Sequence, residues 1–462
     1  MHLPLYYSLR KYVTHLRVCC HTDCNDLGRL GAPLVSTITA AQEKSVWGRR
    51  HWLILLMFLA IVIGYSDRVN ISVAAVSMKE QFGWSQTTKG FVLSSFFIGY
   101  MSCMFISGWL CIRFGGKLVL GAAVLWWSVF TLLTPVAAGV SIPVLVVARI
   151  GMGMGEAAMF PAAIQMIGIW TAGREKDRSN SIVLSGIPLG TVIGLLATGW
   201  IVGHYAWPMA FYAFGVVGVL WCFAWFAIAS DDPASDPRVT QSERTLLADN
   251  RRSPAAASAK MPWEILLFRS SVWALVATHF ATTWTLYMLL SWLPSYFRDV
   301  QQVSIADSGF LSAAPWLSMF LMTYVGIWLS QFVIRKTGRV VFGRKLLQCI
   351  GLLGSGAMLL LAQYTHSVGA ALAVVCAATG LLGFCWVGYG SNFLDLAPRH
   401  SGLLVGFSNT FATVPGIIGV AIAGWLVDVT GSYSATFALA AVVSVAGAVL
   451  YMIYGSDKVL ID

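Results

Sequence analysis

Two short stretches carry side chains that sit badly in hydrocarbon. YSDRVNISVAA, starting at Tyr65, sets Asp67 beside Arg68, and RIGMGMGEAAMFPAA, starting at Arg149, holds Glu156 two helical turns further on. A spacing of seven residues returns to nearly the same face of a helix, about 10.5 Å along its axis. Each stretch therefore offers one guanidinium and one carboxylate. Burial raises a carboxylate's pKa and a nearby Arg lowers it, so a carboxylate reached from two sides in turn can load a proton on one and release it on the other. A guanidinium stays charged, and its fork matches a pair of carboxylate or phosphate oxygens. Two Arg with two acids suit an anion carried together with protons. The plainer alternative is two internal salt bridges that lock helices. Structural needs alone seldom justify four buried charges, because each costs roughly 2.5–3.5 kcal/mol mid-span.

Other polar side chains interrupt apolar runs. His279 stands in VATHFATTWTLYMLLSWLP, with Trp284 and Tyr287 three apart on one face. The His could be a hydrogen-bonded interior residue or a proton group, and the two rings could line a pocket or fill space. Asn392 in YGSNFLDLAP, Asn409 in GFSNTFATVPG and Gln165 in the run after Glu156 are amides that could bridge helices or bind a solute. Asn70-Ile-Ser72 matches a glycosylation pattern, but it lies inside a span and is set aside.

The elements that must hold these groups follow from composition. The chain has 462 residues, 57% hydrophobic and 11% charged; soluble domains carry about 25% charged residues. Apolar runs of bilayer length recur near 52–76, 88–112, 118–138, 141–169, 179–203, 207–229, 270–297, 307–334, 345–365, 368–395, 402–428 and 433–455. This predicts an all-α polytopic membrane protein with twelve transmembrane helices. The 44 Gly and 19 Trp fit close helix approach and interfacial anchoring. A net charge of +10 would suggest nucleic acid for a soluble protein. Here the basic residues fall in alternate loops: Arg49/Arg50, Arg113/Lys117, Arg174/Lys176/Arg178, Arg238 to Lys260, Arg335 to Lys345, and Arg399. Topology explains them, and the positive-inside rule puts both termini in the cytoplasm.

The halves repeat. ATGWIVGHYAW at 197–207 matches AGWLVDVTGSY at 423–433, and Gly194, Gly199 and Trp200 recur at one offset as Gly419, Gly424 and Trp425. GWLCIRFGGK has a counterpart in GIWLSQFVIRKTGR. The expected organisation is a six-helix bundle at 49–229, a cytoplasmic linker at 230–269 and a pseudo-symmetric second bundle at 270–462, with a solute site at the midplane between them. Residues 1–48 read as a disordered or targeting tail; transit peptides are Ser-rich and acid-poor, and here Ser is scarce and Asp23 and Asp26 are present. The nine Cys form no disulfide framework, and CCHTDC in the tail matches no zinc spacing, so neither metal nor cofactor is expected.

SDRVNISVAA, RIGMGMGEAAMFPA, VWALVATHFATTWTLYMLLSWLPSYF and GSNFLDLAPRHSGLLVGFSNTFATVPGIIG resemble the major facilitator superfamily, in particular its anion:cation symporter branch of hexonate and hexarate transporters and of phosphate, sialate and glutamate carriers. The resemblance covers residues 50–455. It implies that Asp67 and Glu156 carry coupling protons, that Arg68 helps bind the anion, and that Arg149 tunes proton movement by pairing with the acids. It places Tyr287, Asn392 and Asn409 where relatives contact solute. Two departures stand out: Ile112 and Gln331 occupy the slots where the family carries a loop acid that helps hold the cytoplasmic gate. Gln165 stands where phosphate-type members often have His, which favours an organic acid.

The expected function is secondary transport: proton symport of an organic anion, a sugar acid such as a hexonate or hexarate, by a monomer in the bilayer. The bacterial inner membrane is the expected location, an organellar membrane if residues 1–48 are a transit peptide. An inorganic phosphate or dicarboxylate carrier is the alternative, and a transporter-like nutrient sensor a remoter one. No nucleotide loop, metal cluster or nucleophile–base pair suggests an enzyme, and no nucleic acid partner is expected.

Overall fold

The computed structural model describes residues 48–171, 174–248, 263–397 and 401–460. The tail with its Cys cluster, and Arg251, Arg252, Lys260 and Arg399 of the charge pattern, lie outside them. By contact, the described residues from Arg50 onward form one compact unit.

A chain in lipid must satisfy its backbone within each segment, and helices do so. The described secondary structure is helical throughout: α1 Arg49–Phe82, α2 Gln86–Phe114, α3 Gly116–Val140, α4 Ile142–Glu156, α5 Met159–Trp170, α6 Arg174–Leu184, α7 Gly186–His204, α8 Pro208–Ile228, α9 Gln241–Ala248, α10 Trp263–Phe268, α11 Ser270–Asp299, α12 Ile305–Thr337, α13 Val340–Ala362, α14 Val368–Leu396, α15 Ser401–Thr430 and α16 Ser434–Tyr454. Ser85, Ser141, Ser304 and Ser367 cap α2, α4, α12 and α14 by accepting from a backbone N–H three residues on. Gly338, at φ 65°, closes α12.

Eleven spans among the described residues are long and apolar enough to cross a membrane, with α4 and α5 counted as one. The twelfth expected span, α11, is 30 residues long but falls short in hydropathy. The reason is its position. Thr278, His279, Thr282, Thr283, Thr285, Ser291 and Ser295 are all buried, so its polar side chains face protein. Thr282 and Thr283 return their hydroxyls to carbonyls of their own helix.

Contact between the first six spans and the last six runs chiefly through two helix pairs, α2 with α15 and α7 with α12. Small residues allow it. Gly199 and Gly309 meet backbone to backbone, since a Cβ on Gly309 would stand 2.8 Å from the Gly199 Cα. At the end of the molecule poor in basic residues, the α2–α15 contact becomes polar. Asp428 of α15 accepts from the Gln86 N–H at 2.9 Å and from the Thr87 N–H and hydroxyl at 2.6 Å each. These amides are the unpaired donors of the α2 N-terminus, where a carboxylate is favoured. Asp299 accepts from Gln86 Nε2 at 3.0 Å and from the Tyr433 hydroxyl at 2.8 Å. Lys89 donates to Ser295 at 2.8 Å and lies 4.6 Å from the centre of the Trp292 ring.

At the basic-rich end, the first part of the linker is bound to the first six spans. Asp231 accepts from the Lys117 N–H at the start of α3, and Glu243 accepts from the Arg50 N–H, each at 3.0 Å. Ile112 is 83% exposed, and among the described residues the Gln331 side chain accepts only from Arg335 of its own helix, at 3.3 Å.

Replacing Asp428 with Ala should remove about 1–2 kcal/mol of cap and closure energy and lower the melting temperature of the purified protein. Glu80→Ala, which breaks an exposed 3.4 Å pair with Arg298, should leave it nearly unchanged.

Candidate functional site

Arg68 occupies the centre of the site. It projects from the middle of α1, and its Nη2 and Nε donate to one oxygen of Glu156, Oε2, at 2.6 and 3.0 Å. Three rings enclose the guanidinium, with centroids 4.6 Å (Tyr65), 4.9 Å (Phe96) and 5.0 Å (Tyr100) from its Cζ. Their spacing produces the cage: Tyr65 lies one turn before Arg68 on α1, and Phe96 and Tyr100 lie one turn apart on α2. Ring faces are electron-rich, so they tolerate a cation that water cannot reach. Glu156 is fully buried, and its second oxygen, Oε1, has no partner.

Glu156 ends α4. Ala157 and Ala158 form a turn in which the Ala158 N–H reaches back only to the Gly155 carbonyl, and α5 resumes at Met159. Pro161 supplies no N–H to the Ala157 carbonyl, which accounts for the break. Glycines bring α4 against α2. A Cβ on Gly153 would collide with the Phe96 carbonyl, and one on Gly99 with the Ile150 carbonyl. The close contact places Arg149 5.5 Å from the Phe96 ring centre.

Arg149 is buried and hydrogen-bonds neither acid. Its Nη1 meets the Met152 sulfur at 2.9 Å, and its Nε has no partner. Both acids are within electrostatic reach of it. Asp67 is also fully buried, and neither of its oxygens is hydrogen-bonded. Adjacent helix residues point about 100° apart. Asp67 accordingly turns away from Arg68 toward α3, where the Trp127 indole faces it without completing a hydrogen bond.

Arg68 and Arg149 line one small cavity together with Ile71, Ser72, Leu93, Phe96, Phe97, Leu290 and Ser291. Its volume is about 10 Å³, room for about one water molecule. Admitting a solute requires the helices around it to part.

The structure gathers some of the other expected residues here and takes others elsewhere. The Tyr287 ring lies 4.5 Å from Phe97, against the cavity wall. Trp284 packs on Phe280 and against Gly419 of α15. Asn409 is half-buried on α15 and accepts through its carbonyl from Thr413. His279 belongs to a separate cluster: its Nδ1 is 2.9 Å from the Ser408 hydroxyl and its ring stacks on Tyr389 at 4.6 Å. Asn392 donates to the Ser456 carbonyl at 2.9 Å and accepts from the Tyr451 hydroxyl at 3.0 Å, so it holds the segment after α16. Gln165 donates to the Cys111 carbonyl at 3.0 Å, beside the α2–α3 turn.

Sequence reasoning missed the aromatic cage, because Phe and Tyr in apolar spans are unremarkable one at a time; only their turn spacing beside a charged residue marks them. It set aside Asn70, whose amide is fully buried with neither atom bonded, together with Ser72, when it dismissed their glycosylation pattern, and it missed Ser291. Among the described residues, no group of three or more His, Cys, Asp or Glu could hold a metal ion, and the six described cysteines are free thiols.

The model of the Major Facilitator Superfamily matches residues 56–342 and 337–459. The sodium-dependent phosphate transport protein 1 of Arabidopsis thaliana chloroplasts is 36% identical over 416 residues, spanning 90% of this chain and 80% of its own length. The chloroplastic ascorbate transporter of the same plant is 34% identical over 427 residues, spanning 91% and 78%. Human sialin is 32% identical over 444 residues, spanning 89% and 90%. Among solved structures, a bacterial homologue of the human lysosomal transporter Spinster, inward-facing and occupied, superposes with a TM-score of 0.72 at 17% identity, covering 89% of this chain and 97% of its own. A D-xylose–proton symporter gives 0.70 at 15% identity, covering 89% and 99%. At those identities the likeness is one of fold.

Gly153→Ala should push α2 from α4 and displace Phe96 from beneath both guanidiniums, lowering the melting temperature and the yield of monodisperse protein. Gly390→Ala, where a Cβ meets nothing within 4 Å, should be neutral in the same assay.

Proposed function

The chain belongs to the Major Facilitator Superfamily, in its anion:cation symporter branch, and from that premise we propose that it carries an organic anion, a sugar acid such as a hexonate or hexarate, together with protons. It is a multi-pass membrane transporter and not an enzyme. The observation that supports an anionic solute is the pair of guanidiniums, Arg68 and Arg149, facing one cavity near the middle of their helices. Only Arg68 has a carboxylate hydrogen-bonded to it. Relatives named for phosphate and ascorbate agree with an anion.

In this reading the anionic end of the solute takes the place of Glu156 on Arg68, and Glu156 accepts a proton as it lets go. A neutral acid can leave the guanidinium without stranding a second buried charge. Asp67, with two unbonded oxygens, is the other proton site. Tyr287 and Asn409 face the solute from the second bundle. The two bundles, 49–229 and 270–462, rock about the α2–α15 and α7–α12 contacts, and the protein works as a monomer. Both termini lie in the cytoplasm of a bacterial inner membrane; the chloroplastic relatives favour an organellar membrane as the alternative.

The phosphate relative favours a second reading, in which sodium and inorganic phosphate replace proton and sugar acid. Reconstituted vesicles decide between them. Gluconate uptake should follow an inward proton gradient and stop with an uncoupler; phosphate uptake that needs sodium and ignores the proton gradient would establish the second reading. Glu156→Gln should abolish accumulation while still permitting counterflow exchange. Arg68→Lys, which loses the fork, should reduce both by at least about tenfold.

A further inference from the structure

The cavity is chemically lopsided. The first six spans contribute both of its cations, Arg68 and Arg149, and the hydroxyl of Ser72. The last six contribute Leu290 and Ser291. Ser72 has already spent its proton, donating to the Val69 carbonyl at 2.7 Å. Ser94, Ser95 and Ser107 in the neighbouring helix also donate back to their own helix. Ser291 does not: its hydroxyl makes no hydrogen bond among the described residues, though the residue is only 7% exposed. It is a donor and acceptor held free in the lining of a cavity that it shares with two guanidiniums and with Leu290, Phe96 and Phe97.

We infer that Ser291 is a specificity-determining residue, which hydrogen-bonds a hydroxyl of the solute while the two guanidiniums hold its anionic end. The inference rests on the sugar-acid reading above and adds what discriminates within it. A site built around a free hydroxyl rewards a polyhydroxy acid and gains nothing from an unsubstituted acid of equal length. Ser291 belongs to α11 and the cations to α1 and α4, so only a solute with both features bridges the two sets of six spans. A simple anion satisfies the arginines and leaves Ser291 unpaired.

The test uses the full-length protein in detergent and isothermal titration with three probes: gluconate, hexanoate and inorganic phosphate. The parent should bind gluconate more tightly than hexanoate. Ser291→Ala should raise the gluconate dissociation constant about three- to tenfold and leave the hexanoate and phosphate values where they were, erasing the preference. Ser291→Thr, which keeps a hydroxyl, should restore much of it. Equal weakening for all three probes would make Ser291 a wall residue only and overturn the inference. So would gluconate binding by Ser291→Ala that matches the parent, and in that case the sugar-acid reading survives. A parent that binds phosphate and neither organic acid would take down both.

Discussion

Burying the Arg68–Glu156 pair away from water is the constraint around which this protein is built. Removing two charges from water costs several kcal/mol per ion, and removing one partner of such a pair costs about 3–5 kcal/mol, because the other is left alone. The surroundings answer that cost locally. Tyr65, Phe96 and Tyr100 surround the cation with ring faces. Gly99 and Gly153 let α2 and α4 approach until Phe96 lies beneath Arg149 as well. The α4 break after Glu156 frees the carboxylate's neighbourhood from the regular ladder. A pair held this way is stable while intact and expensive to divide, which restricts what can enter: a visitor to the cavity must offer Arg68 what Glu156 now offers.

The two ends of the molecule are held differently. At the basic-poor end, Asp428 and Asp299 reach the start of α2 from α15 and α11, joining the first six spans to the last six. At the basic-rich end, the polar contacts around Arg50, Asp231 and Glu243 stay within the first six spans and the linker bound to them. Ile112 stands exposed where a carboxylate would be expected, and Gln331 turns to its own helix. Among the described residues, the arrangement is that of a protein whose two sets of six spans are fastened by polar contacts at one end. The small central cavity fits that state, since its walls have closed around little more than the arginines.

Much of this was legible in the residues. Period and length located the spans, and a charge inside a span must be satisfied there, which singled out Asp67, Arg68, Arg149 and Glu156. The partnership within that set was not legible. Sequence spacing fixes the angle between neighbours on one helix but not the rotation of one helix against another, so nothing assigned Glu156 to Arg68 or left Asp67 facing Trp127. Asn392 shows the same limit: an amide in an apolar span looks the same whether it meets a solute or, as here, the carbonyl of Ser456. α11 erred the other way. Its hydropathy is low for a membrane helix because protein surrounds it, and the apolar run at 270–297, of bilayer length despite its Thr, Ser and His, still marked it as a span.

The fastening at Asp428 has a genetic consequence. Two of its three donors are main-chain amides, of Gln86 and Thr87. Those groups are present whatever side chain stands there, short of proline. Variation on the donor side leaves those two bonds in place and can forfeit only the third, from the Thr87 hydroxyl, whereas the acceptor exists only as long as a carboxylate of that reach is encoded at one codon. Of the residues that meet there, the acid alone carries all three bonds in its side chain.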